Sequence, residues 1–133
     1  LRTFLSDTLA LADSALTIHD GCGLCTYNRL SPRALTTIIA YGYNDDGIRD
    51  MLERNLAIAG TDGTIKSRMR GPFTNDNVRA KTGTLTGVSS LAGFCTAANG
   101  HQLAFSIINN GLRHTNNAHA FQDKVCTELC RPN

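Results

Sequence analysis

Arg79-Ala80-Lys81-Thr82-Gly83-Thr84-Leu85 is the stretch from which the rest of the chain is best read. Val78 to Thr82 has the character of a strand and leads directly into Gly83, with hydroxyls on both sides of the glycine. A strand of small residues at a sheet edge can pair with an extended peptide through backbone hydrogen bonds. In that setting Lys81 places positive charge beside a reacting centre, and Thr82 and Thr84 offer hydrogen-bond donors to a terminal carboxylate. Gly83 stands where a side chain would block an approaching ligand. Taken alone, the tripeptide Lys81-Thr82-Gly83 is better explained as a plain strand with a solvated lysine. Its surroundings have to carry the argument.

Downstream, Ser89 to Thr96 and Gln102 to Ile108 are expected to form two further strands, separated by the hairpin signal Asn99-Gly100. Phe121, Val125 and Leu129 mark a closing helix of about three turns. Upstream, Ser31-Pro32 is a helix start, a serine cap followed by proline at the first helical position, and Leu35, Ile38 and Ile39 continue an apolar stripe to Tyr41-Gly42. Ile48, Met51, Leu52 and Leu56 predict a second helix. Thr61-Asp62-Gly63-Thr64 and Gly71-Pro72 bracket an irregular stretch. Leu16-Thr17-Ile18-His19 is a brief strand-like run ended by the turn Asp20-Gly21. Leu1, Phe4, Leu5, Leu9 and Ala12 recur at helical spacing. Helices, then a three-stranded antiparallel meander, then a helix make an α+β fold. No repeat, low-complexity tract or linker interrupts the chain.

At 133 residues, 41% hydrophobic and 18% charged, the composition is that of a folded globular chain. Such a chain can bury roughly two-thirds of its unfolded surface. A formal charge of +2 without a Lys/Arg cluster gives no footprint for nucleic acid or for an anionic membrane surface. No apolar run approaches the roughly 18 residues of a membrane helix. The chain opens on Leu1 rather than Met, and Leu1 to Leu5 reads as the middle of a helix. The true N-terminus is therefore expected upstream, and the lack of a signal peptide says nothing of compartment.

Ala80 to Phe94, Ala-Lys-Thr-Gly-Thr-Leu-Thr-Gly-Val-Ser-Ser-Leu-Ala-Gly-Phe, closely resembles the third-motif region of the penicillin-binding D-Ala-D-Ala carboxypeptidases of the S13 peptidase class. Two further blocks agree in order and spacing. Asp20 to Cys25 is similar to that family's Asp-Gly-Ser-Gly-Leu-Ser segment, and Ala57 to Met69 to its Ala-Gly-x-Asp-Gly-Thr-Leu segment. The resemblance runs from about Phe4 onward. It implies one portion, residues 1–133, of a single serine β-lactamase/transpeptidase-like domain: the C-terminal part, with an antiparallel sheet and flanking helices. It also implies a serine D-Ala-D-Ala carboxypeptidase or endopeptidase acting on peptidoglycan stem peptides outside the cytoplasm, and binding β-lactams as mimics. In that frame Lys81, Thr82, Gly83 and Thr84 belong to the catalytic centre. Lys81 stabilises charge and relays protons, Thr82 and Thr84 hold the substrate carboxylate, and the Thr84 N–H forms half the oxyanion hole. Such a donor contributes roughly 3–4 kcal/mol. Cys22, Gly23, Leu24 and Leu85 would line the substrate pocket. No metal or organic cofactor is implied.

The family uses Ser-x-x-Lys, Ser-x-Asn and Lys-Thr-Gly together. Only the last is present. No serine here is followed by lysine three places on, and Ser6-Asp7-Thr8 lacks the asparagine. The chain alone is expected not to acylate, to depend on a missing N-terminal part, and to self-associate through apolar surface that part would cover. A non-catalytic binding module is the rival reading.

Cys22 and Cys25 both stand where the family has serine, and the simplest account is two tolerated exchanges in a loop of small residues. Other readings stay open. Cys22-x-x-Cys25 could join Cys126 and Cys130 as a four-thiolate zinc site, the pairs could form disulfides, or Cys22 and Cys25 could be a redox dithiol. Cys95 makes the count odd. His19, His101, His114 and His119 form no metal-type pair, and Asp20 and Asp62 precede glycines as turn residues.

Overall fold

The computed structural model describes residues 1–12 and 16–132. Strand β1 (Leu16–Thr17) pairs antiparallel with β2 (Arg29–Leu30), and two helices follow, α1 (Pro32–Asn44) and α2 (Asp46–Asn55). The main sheet has the order β3-β4-β5-β6, with β3 at Ala57–Ile58, β4 at Arg79–Leu85, β5 at Val88–Thr96 and β6 at Gln102–Asn110. Helix α3 (Thr115–Cys130) closes the chain. Every strand pairing is antiparallel, so the α+β layer expected from sequence is the observed fold.

Local chemistry explains most boundaries. The Ser31 side chain accepts the N–H of Ala34 at 3.1 Å and Pro32 follows it, which starts α1 as read from sequence. Asp45 ends α1 and caps α2, its carboxylate taking the N–H groups of Gly47 and Ile48. The β5–β6 hairpin turns at Asn99-Gly100, with Gly100 at φ +85° and the Asn99 side chain accepting the His101 N–H.

Three expectations are corrected. The opening residues form a π-helical turn at Phe4–Thr8 rather than an amphipathic α-helix. Hydrogen bonds from Leu9 to Phe4 and from Leu11 to Leu5 widen the turn, so that Leu5, Leu9 and Leu11 all bury against Ala34 of α1, while Ala12 stays exposed. The meander gains a fourth strand, β3. Helix α3 runs 16 residues, and its buried stripe is Ala118, Gln122, Cys126 and Cys130, with Phe121 exposed.

Strand alternation sorts the sheet into two faces. Ala80, Leu91, Cys95 and Phe105 pack with Cys126 and Cys130 of α3, over Ile65 and Val78. Full burial of a side chain such as Leu91 contributes about 1.5–3 kcal/mol. On the opposite face Phe94 packs against Tyr43 of α1, ring centroids 5.0 Å apart. The sheet is thus held between α1 and α3.

Candidate active site

Strand β4 is paired along its full length with β5, from Arg79 opposite Phe94 to Leu85 opposite Val88. On its other side β3 covers only Arg79 and Ala80. From Lys81 to Leu85 no strand among the described residues pairs with that side. The short reach of β3 creates the opening.

Two contacts show which backbone groups line it. The Val78 carbonyl accepts the Ala59 N–H at 2.9 Å, so Val78 faces the β3 side. Backbone polar groups two residues apart on a strand point the same way, which turns those of Ala80, Thr82 and Thr84 outward. The Thr82 carbonyl accordingly takes no partner from β5 but accepts Lys81 Nζ at 2.7 Å. The ammonium is folded over the open edge, with two further N–H donors to offer. The Thr84 N–H shares that edge, and Thr84 itself is exposed.

Side chains divide differently. Lys81 and Gly83 project to the α1 face, Thr82 and Thr84 to the α3 face. They can converge only on a ligand lying along the open edge, reached from both sides. The Thr82 hydroxyl donates to Thr64 Oγ1 at 3.0 Å. Thr64 belongs to a 3-10 turn, Gly63–Ile65, which the Asp62 carboxylate ties to β3 by accepting the Ile58 N–H at 2.6 Å. Thr64 is the site residue that sequence reasoning missed. It lies within the Ala57 to Met69 block, but nothing in its spacing to Thr82 shows that the two hydroxyls meet. Gly83 lies against Ser90, whose hydroxyl donates to the Gly83 carbonyl at 3.4 Å, and a Cβ at Gly83 would fall 2.5 Å from that oxygen. Leu85 is half-buried at the start of the β4–β5 turn, beside an open hollow of about 340 Å³ shared with Thr86, Gly87, Arg113 and His114.

Cys22, Gly23 and Leu24 occupy an exposed loop between β1 and β2. Asn28 braces it, accepting the His19 N–H at 2.7 Å and donating to the Asp20 carbonyl at 3.0 Å. Asp20 Oδ1 accepts the Cys22 N–H at 3.1 Å. The thiol and backbone N–H of Cys22, then the thiol of Cys25 and the Asn28 amide, hold the Asp20 carboxyl below the usual carboxylate range. No hydrogen bond among the described residues joins this loop to β4.

The four-thiolate grouping does not form. Cys126 and Cys130 face the sheet and are buried with Cys95, while Cys22 and Cys25 sit on the exposed loop. All five are thiols, and among the described residues no three His, Cys, Asp or Glu side chains group as a metal site. Burial pushes the Cys126 thiol up to about 12, which suits an inert core residue.

This antiparallel sheet between helices is the fold of the C-terminal part of a penicillin-binding, transpeptidase-like protein. A crystal structure of penicillin-binding protein 4 from Haemophilus influenzae, complexed with a β-lactam, superposes with a TM-score of 0.85 at 28% identity, over 98% of this chain and 32% of that one. The chain belongs to the D-Ala-D-Ala carboxypeptidase 3 (S13) family, whose pattern matches residues 2–128. It is 41% identical over 97 residues to the D-alanyl-D-alanine carboxypeptidase DacB of Haemophilus influenzae, covering 71% of this chain and 20% of that protein. It is 33% identical over 127 residues to the D-alanyl-D-alanine carboxypeptidase of Actinomadura sp. (strain R39), covering 91% and 23%. The chain thus spans about a fifth of the length of these curated relatives.

Proposed function

We propose that these 133 residues are the C-terminal portion of a single transpeptidase-like domain in a serine D-Ala-D-Ala carboxypeptidase or endopeptidase acting on peptidoglycan stem peptides outside the cytoplasm. The observation that carries this reading is the open β4 edge from Lys81 to Leu85, with an ammonium folded over it and the Thr84 N–H facing out. A stem-peptide tail pairs with that edge as an added strand, displacing Lys81 from the Thr82 carbonyl. Thr82 and Thr84 hold its terminal carboxylate. A serine from sequence outside these residues attacks the penultimate D-Ala carbonyl, the Thr84 N–H stabilises the oxyanion, and Lys81 supports charge and proton transfer. The terminal D-Ala leaves as the free amine, and water or another amine resolves the acyl-enzyme. No metal or organic cofactor enters these steps. The loop from Cys22 to Leu24, with Leu85, completes the pocket wall. β-Lactams acylate the same serine, in keeping with the β-lactam held by the Haemophilus influenzae relative.

Fluorescent penicillin tests this reading. The 133-residue chain alone is expected to take no covalent label. The same chain in one polypeptide with its Ser-x-x-Lys segment is expected to take one. Lys81→Ala, a change at an exposed position, should slow that acylation by about 100-fold or more while the melting temperature holds. Labelling of the chain alone, or a Lys81→Ala protein acylated at the parent rate, refutes the proposal.

A further inference from the structure

The loop between β1 and β2 carries two thiols that take no part in the bond-making steps of the acyl transfer. Cys22 is exposed and Cys25 half-buried, whereas Cys95, Cys126 and Cys130 are buried in the core, each 3% exposed or less. Gly23, at φ +76°, turns the chain between the pair. The Cys22 sulfur accepts the Leu24 N–H at 3.4 Å, so it lies forward over the backbone that leads into Cys25. The Asp20 carboxylate accepts the Cys22 N–H at 3.1 Å and fixes the backbone on which the first thiol stands. Nothing lies within 4 Å of a Cβ built at Gly21 or Gly23, and the Leu24 side chain is 72% exposed. The segment from Gly21 to Leu24 therefore has open space around it in which the backbone can adjust and the two sulfurs approach.

We propose that Cys22 and Cys25 are a reversible dithiol–disulfide pair, a thiol-modification site on the exposed loop that reacts with small-molecule disulfides while the three core cysteines do not. The more exposed Cys22 attacks as its thiolate on a sulfur of a disulfide such as oxidised glutathione. That forms a mixed disulfide and releases one glutathione thiol. The Cys25 thiolate then attacks the Cys22 sulfur, forms the intramolecular bond and releases the second. Two protein thiols are oxidised, one glutathione disulfide is reduced to two thiols, and the two protons lost by the protein end on the glutathione. Only two residues separate the pair, so the chain entropy lost on closing the ring is small. The loop is also the one placed in the pocket wall, but the thiol exchange has its own readout, the mass and linkage of the two cysteines, which needs no acylation.

The test incubates the 133-residue chain with mixtures of oxidised and reduced glutathione, followed by acid quench, alkylation and peptide mapping. The expected product has lost the mass of two hydrogen atoms and links Cys22 to Cys25. Cys95, Cys126 and Cys130 alkylate only after guanidinium unfolding. Cys22→Ser should retain glutathione on Cys25, since no second thiol is in reach to release it. Separate glutathione adducts on both loop cysteines, a bond from either to a core cysteine, or the same mass loss in the Cys22→Ser/Cys25→Ser protein overturns the proposal.

Discussion

At Gly93, β5 lies so close to β4 that a methyl group would run into the Arg79 carbonyl and sit 2.7 Å from Ala80 Cα. Both obstacles are backbone, and that backbone leads directly into Lys81. Gly93→Ala is therefore expected to destabilise the fold by about 3 kcal/mol, measured as a shift of the urea midpoint. Gly83→Ala, which meets only the Ser90 hydroxyl, should cost about 1 kcal/mol. Equal effects would mean that strand contact is not what Gly93 protects. The same scale shows where sequence reading stops. Lys81, Thr82 and Thr84 were legible because their types and order carry chemistry. Gln122 was not. It is wholly buried on α3, donates to Ser89 and Asn109, and accepts from Arg68, which is paired with Asp123 at 2.6 Å. An apolar pattern counts glutamine as solvent-facing, and so Phe121 stood in its place. Cys95 likewise joins Cys126 and Cys130 only through the pairing of sheet with helix.

Elements announced by their own ends were read well. Ser31-Pro32 began α1 and Asn99-Gly100 turned the β5–β6 hairpin, because caps and turns are settled by a few neighbouring atoms. Ser31→Ala removes the acceptor of the Ala34 N–H and should lower stability by about 1 kcal/mol in urea titrations. An unchanged midpoint would deny the cap that role. Elements stabilised from a distance were not legible. Strand β3 is two residues long and exists through its pairing with β4, so no period could reveal it. The π-helical opening turn keeps helical spacing in its apolar residues, and only the presence of α1 beneath decides the wider winding. The site inherits this division. Its chemistry lay in the sequence, but the length of β3, which leaves Lys81 to Leu85 open, did not.

Over the molecule as a whole, the junction of α3 with the Arg68 turn makes stability depend on pH. Burial first, then the charge on Arg68, lowers His119 from its ordinary value of 6.5, against the opposing pull of Asp123. The folded chain binds that proton less readily than the unfolded one. The stabilisation is complete above 6.5 and is lost as pH falls through the lowered folded value. Melting temperature should drop on mild acidification, and His119→Gln should flatten that part of the curve. A steeper fall in the variant would contradict the assignment. The reach of β3 has one more effect. Unsatisfied amides and carbonyls in a row are a template on which a second molecule can build, the first step towards a fibre. The ammonium folded over the Thr82 carbonyl is then also a gatekeeper, since two copies stacking here would bring like charges together. Lys81→Val should speed the appearance of thioflavin-positive aggregates at high concentration, whereas Lys81→Arg should not, and equal lag times would leave the guarding to some other residue.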